Sequence, residues 1–85
     1  MFVGGDEDMI HQTSADEFVK KVSKLIRDRR LELGMSKLAV AQKAGLDPRA
    51  ITFVEENRRT PSIATIYRIS IALECEVNDL LPPAG

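Results

Sequence analysis

Apolar residues recur at steps of three and four along most of the chain, and no stretch alternates with a period of two. In the first half, Phe18, Val22, Leu25, Ile26 and Leu33, with Arg29 among them, fall on one face of a helix predicted over about Ala15–Leu33. Ser14 precedes it with Glu17 three positions on, a spacing in which two side chains take up free N–H groups of a helix start. Gly34 supplies the left-handed residue that ends it. Ser36 then caps a short helix over about Lys37–Ala44, whose inward positions Val40, Ala41 and Ala44 are small, and Gly45 breaks it. Asp47 and Pro48 read as N-cap and first position of a third helix, with Ile51 and Val54 inward and Asn57 at its left-handed end. Pro61 and Ser62 open a fourth helix, about Ile63–Glu74, carrying Ile66, Ile69 and Leu73. A fifth, near Val77–Leu81, is stopped by Pro82 and Pro83. The fold class expected is therefore all-α, a compact four- to five-helix bundle.

Length changes this picture little: 85 residues hold one small domain, which buries about 60% of its unfolded surface. We place it at 13–82, with residues 1–12 as a flexible N-terminal arm and 83–85 as a tail. No apolar run approaches the roughly 18 residues of a membrane span. The N-terminus lacks a signal-peptide pattern, and the single cysteine, Cys75, has no partner for an internal disulfide. A cytoplasmic protein is expected. The net charge is −1, but its distribution is uneven. Setting aside Asp6, Glu7 and Asp8 leaves twelve basic residues against ten acidic, and five basic residues against three lie between Ser36 and Ser62. A mildly positive middle with acidic ends fits a modest phosphate-binding face.

The informative stretch is Ser36–Ser62. Two short helices joined by Gly45, Leu46 and Asp47 must cross steeply, because three residues cannot turn the chain antiparallel. Ala41 lets the helices touch, and Leu46 plugs the turn. Arg49, Thr52, Phe53 and Glu56 then face away from the core, as a helix that enters a DNA major groove must.

Arg30–Ser36 (RLELGMS), Val40-Ala41, Gly45-Leu46, Ile51, Val54-Glu55 and Arg58–Ser62 (RRTPS) resemble the Cro and phage-repressor (Xre-type) helix-turn-helix family of DNA-binding transcriptional regulators. The likeness runs from about Val22 to Leu81, 60 residues. It implies a lambda-repressor-like domain that binds a palindromic operator in double-stranded DNA as a homodimer. It spans Cro-like repressors, restriction-modification controllers and antitoxins, the last of which implies a toxin as a protein partner. Position by position, it assigns base reading to Lys37, Asp47, Pro48, Arg49, Thr52 and Phe53. Phosphate contact falls to Ser36, Lys43, Arg58, Arg59 and Ser62, and a structural pair to Arg30 and Glu55. Three features depart from the family pattern: Asn57 stands for a glycine, Pro48 and Phe53 are apolar, and Asp47 brings a carboxylate near DNA. Together they shift readout toward thymine methyl groups and shape, with Arg49 as the hydrogen-bonding reader of guanine.

Tyr67, Ile71 and Cys75 are spaced i, i+4, i+8 and form a candidate dimer stripe, although Cys75 also reads as a small core residue. A competing function is a protein-binding module on the same fold, an anti-repressor or coactivator, using Leu38, Phe53 and Ile71. Enzymatic chemistry is not expected, since one histidine (His11), one cysteine, no paired-carboxylate spacing and no phosphate loop leave nothing to carry it. No metal and no cofactor are expected.

Overall fold

The computed structural model of the protein describes residues 4–83, with side chains from Ala15 to Pro83. Its elements are α1 (Gly4–Glu32), α2 (Lys37–Ala44), α3 (Ala50–Glu55), α4 (Ile63–Ala72) and a short 3-10 helix, η1 (Val77–Leu80). There is no strand among the described residues. α2 packs between α3 and α4, while α1 lies against α3 and η1.

One stop signal recurs at the end of every α-helix. The residues after the helices, Gly34, Gly45, Asn57 and Glu74, have φ of 68°, 70°, 61° and 57°. Each turns the chain so that two backbone N–H groups reach back to carbonyls of the last turn. At α2, Gly45 donates to Gln42 at 3.2 Å and Leu46 to Ala41 at 2.9 Å; at α4, Glu74 donates to Ile71 at 3.1 Å and Cys75 to Ser70 at 3.0 Å. Asparagine adopts this conformation readily. Glutamate does not, at a cost of about 1–2 kcal/mol. Arg29 offsets it by donating Nε to the Leu73 carbonyl (3.1 Å) and Nη2 to that of Glu74 (3.2 Å), where the helix dipole also favours a cation.

The core is built from Val22 and Ile26 of α1, Val40, Ala41 and Ala44 of α2, Ile51 and Val54 of α3, Ile66, Ile69 and Ala72 of α4, and Leu73 and Leu80 beyond it. Burying a side chain such as Ile26, Ile51 or Ile69 completely contributes about 1.5–3 kcal/mol. Alanines at 41, 44 and 72 let α2 and α4 approach closely.

Two boundaries and one inward position differ here from those the pattern predicts. α1 starts at Gly4 instead of Ala15, so Ser14 lies inside the helix and does not cap it, and the backbone of residues 4–12 is the first part of α1. No glycine or proline interrupts residues 6–14, and Asp6, Glu7 and Asp8 fall near the helix start, where its dipole favours negative charge. The side chains of these residues and of His11 lie outside the described residues, as do residues 1–3 and 84–85 entirely. α4 stops at Ala72, two residues short of Glu74, because Glu74 is left-handed. Phe18, placed on the inward face, is 40% exposed, because it lies at the rim of the bundle, beside open recesses lined by Pro61, Ile63 and Leu81.

Candidate nucleic-acid interface

The functional surface is built by caps. Ser36 is extended (φ −77°, ψ 160°), and its Oγ accepts from Ala39 N–H at 3.0 Å. The start of α2 is thereby held with Lys37 as its first residue. After Gly45, Asp47 does two jobs: its Oδ1 accepts from Arg49 N–H and its carbonyl from Ala50 N–H, both at 2.9 Å. Asp47, Pro48, Arg49 and Ala50 thus make a type I turn, with aspartate and proline at the positions that turn favours. Arg49 sits at φ −93°, ψ −4°, the third-position geometry of that turn. Regular α3 therefore begins at Ala50 with Arg49 as its N-cap residue, so Asp47 and Pro48 shape the turn before the helix and are not its cap and first position.

This turn leaves the Arg49 side chain 79% exposed. Its Nε is 3.8 Å from Asp47 Oδ1, an exposed contact worth less than about 1 kcal/mol, so the guanidinium is free to reach outward. Pro48 is exposed beside it, and Thr52 is half-buried one turn on. Phe53 is also half-buried, and its ring is engaged: Arg59 Cζ lies 4.8 Å and Arg58 Cζ 5.9 Å from its centroid. Arg58 Nε additionally meets Glu56 Oε1 at 3.1 Å. Ser62 caps α4, its Oγ accepting from Thr65 N–H at 3.1 Å. Leu46, Phe53, Arg59, Pro61 and Ser62 line a recess of about 290 Å³ between α3 and the start of α4.

Beneath this surface a buried ion pair joins three elements. Arg30 Nε donates to Glu55 Oε2 at 2.6 Å and Nη2 to Oε1 at 2.9 Å. Nη1 donates to the Met35 carbonyl at 3.0 Å. The hydrogen bond to Glu55 raises the Arg30 pKa further, so the charge is permanent. The end of α3 is thereby tied to α1 and to the α1–α2 turn.

A family model described as helix-turn-helix matches residues 26–80. The chain belongs to the helix-turn-helix family. It is 31% identical over 61 residues to the ImmF control region 10 kDa protein of Bacillus phage phi105, covering 72% of this chain and 68% of that one. It is 37% identical over 49 residues to an uncharacterised HTH-type transcriptional regulator of Methanothermobacter thermautotrophicus, covering 58% and 71%. The restriction-modification controller protein C.AhdI of Aeromonas hydrophila superposes with a TM-score of 0.71 at 28% identity, covering 74% of this chain and 96% of the controller. This helix-turn-helix protein is a DNA-binding transcriptional regulator by kinship.

Two assigned residues make contacts that the sequence did not show. Lys43 meets Glu74 Oε2 at 3.0 Å, at the end of α4, in an exposed pair. Cys75 leaves the stripe of Tyr67 and Ile71, because the left-handed Glu74 turns the chain inward; Cys75 is half-buried against the core beside Arg29, and burial pushes its thiol pKa up. The exposed stripe instead runs the other way, through Ile63, Tyr67 and Ile71, which are 86%, 57% and 53% exposed. Ile63 and the carbonyl-binding role of Arg29 escape sequence reading. A charged residue on an otherwise apolar helix face was the one available signal for Arg29. Among the described residues no helix is long and apolar enough to cross a membrane, and no three acidic, His or Cys residues are grouped to hold a metal ion.

Proposed function

We propose that this helix-turn-helix protein acts in the cytoplasm as a homodimer that recognises a palindromic operator in double-stranded DNA through the first turn of α3. The observation that carries this reading is the capped turn at Asp47, which projects Arg49 outward as the most exposed charged side chain of the α2–α3 unit. The guanidinium fork matches guanine O6 and N7, and side chains at the start of a recognition helix reach deepest toward base edges. Pro48 and Thr52 border it with apolar contact and a hydroxyl, Asp47 with an acceptor for cytosine N4. Lys37 and the amides at the Ser36 cap face one phosphate strand, and Arg58, Arg59 and the Ser62 cap face the other. The Ile63–Tyr67–Ile71 stripe supplies the two-fold contact, spacing two recognition helices about 34 Å apart. A protein-binding module is less well supported, because Phe53 is engaged by two arginines and the relatives are named as control proteins and transcriptional regulators.

Selection from a random duplex pool tests the proposal. A palindrome with half-sites one helical turn apart is expected. Its affinity should fall steeply with salt, and Arg58→Ala with Arg59→Ala should flatten that slope by about one to two units, since each neutralised phosphate contributes ~0.9. Salt-insensitive or absent duplex binding would overturn it.

A further inference from the structure

We propose that Phe53 is a positioning residue for Arg59: the ring holds the guanidinium at the groove edge for a phosphate and does not itself read a base. This inference rests on the DNA-binding reading above and concerns how the same surface grips the backbone. At the base-reading position of α3, a phenylalanine offers only apolar contact, such as to a thymine methyl, and needs a free ring surface to do so. That surface is partly taken. Phe53 is half-buried and lines the recess beside Leu46 and Val54, and Arg59 lies over its ring at 4.8 Å from the centroid, with Arg58 at 5.9 Å.

The two arginines differ in how they are held. Arg58 commits its Nε to Glu56 Oε1 at 3.1 Å, whereas Arg59 has no carboxylate partner among the described residues. A carboxylate would have consumed two of the five donors of a guanidinium and opposed the approach of a phosphate. A ring face restrains the group through its quadrupole and leaves every in-plane N–H available. The Phe53–Arg59 contact is thus an arginine set in place, with no carboxylate on its donors among the described residues.

The test is fluorescence anisotropy of the full chain with a labelled random-sequence duplex and with the selected operator, over a series of salt concentrations. Phe53→Leu should weaken both duplexes by the same factor, roughly two- to five-fold, the equivalent of one exposed cation–π contact. Phe53→Tyr, which keeps the ring face, should restore both. In an Arg59→Ala background, itself with a salt slope lower by about one, Phe53→Leu should cost nothing more. In the free protein, the Arg59 side-chain proton signals should lose their ring-current shift in Phe53→Leu. Phe53→Met repeats the measurements should the leucine variant fail to fold. A loss confined to the selected operator, or a Phe53→Leu loss that adds in full to that of Arg59→Ala, overturns the proposal and makes Phe53 a base reader. A parent protein with no salt-dependent affinity for either duplex overturns the DNA-binding reading, and this one with it.

Discussion

Removing one member of the Arg30–Glu55 pair exposes how far the recognition helix depends on it. The side chains are 10% and 3% exposed, and the pair is bidentate, at 2.6 and 2.9 Å. Arg30→Ala leaves the Glu55 carboxylate with neither of those donors in a site that water barely reaches. Glu55→Ala leaves the guanidinium with the Met35 carbonyl as its remaining partner. Breaking a buried pair in this way costs about 3–5 kcal/mol. A domain of this size has a total stability of about 4–13 kcal/mol, so either change removes a large part of it. At roughly 4–8 °C per kcal/mol, the lower figure alone lowers Tm by about 12–24 °C. Replacing both partners by apolar residues, Arg30→Met with Glu55→Leu, removes the unpaired charge along with the pair and should cost less than either single change. Urea and thermal denaturation followed by far-ultraviolet circular dichroism measure all of these. Single effects that simply add in Arg30→Ala with Glu55→Ala would show that the two groups are not coupled, and the assignment of the pair as the anchor of α3 would fail.

Four further outcomes are expected. Arg49→Ala should cost about 1–3 kcal/mol on the selected operator and relax selection at one base pair while leaving random-duplex affinity nearly intact; equal losses on both would make Arg49 a phosphate ligand. Ile71→Glu should yield a folded monomer with weakened operator binding, and sedimentation showing the parent already monomeric at DNA-saturating concentration would remove the stripe from the interface. Glu74→Gly should raise stability by about 0.5–1 kcal/mol by relieving the left-handed backbone, net of an exposed pair with Lys43 that contributes little; a loss measured by thermal denaturation would mean that the pair outweighs the strain. Burial raises the Cys75 thiol pKa, so the unfolded chain ionises first and stability should fall as pH rises through the ordinary thiol range. Cys75→Ala should lack that fall, and folded parent protein should react more slowly with a maleimide than denatured protein.

Most of the fold can be read from the sequence because its punctuation is local. Ser36, Asp47 and Ser62 each bond to an amide two or three residues ahead, and Gly34, Gly45 and Asn57 each reverse the chain within one turn. Such bonds depend on a few neighbouring residues and survive any tertiary arrangement. The order of helices and the outward face at Arg49 follow from them. What the sequence could not decide were the encounters between distant residues. Arg29 sits on an apolar face because it meets carbonyls 44 and 45 residues away, and that contact accompanies a left-handed Glu74 that no local preference foretells. The same turn takes Cys75 off the exposed stripe and leaves Ile63 as its other end. Lys43 is a free cation in the sequence and a partner of Glu74 in the fold. Phe53 is an apolar residue on a recognition face until the α3–α4 loop folds back and lays Arg59 over its ring. Helix boundaries are settled by short-range hydrogen bonds, whereas the role of a surface side chain is settled by whichever group the tertiary fold brings within a few ångströms of it.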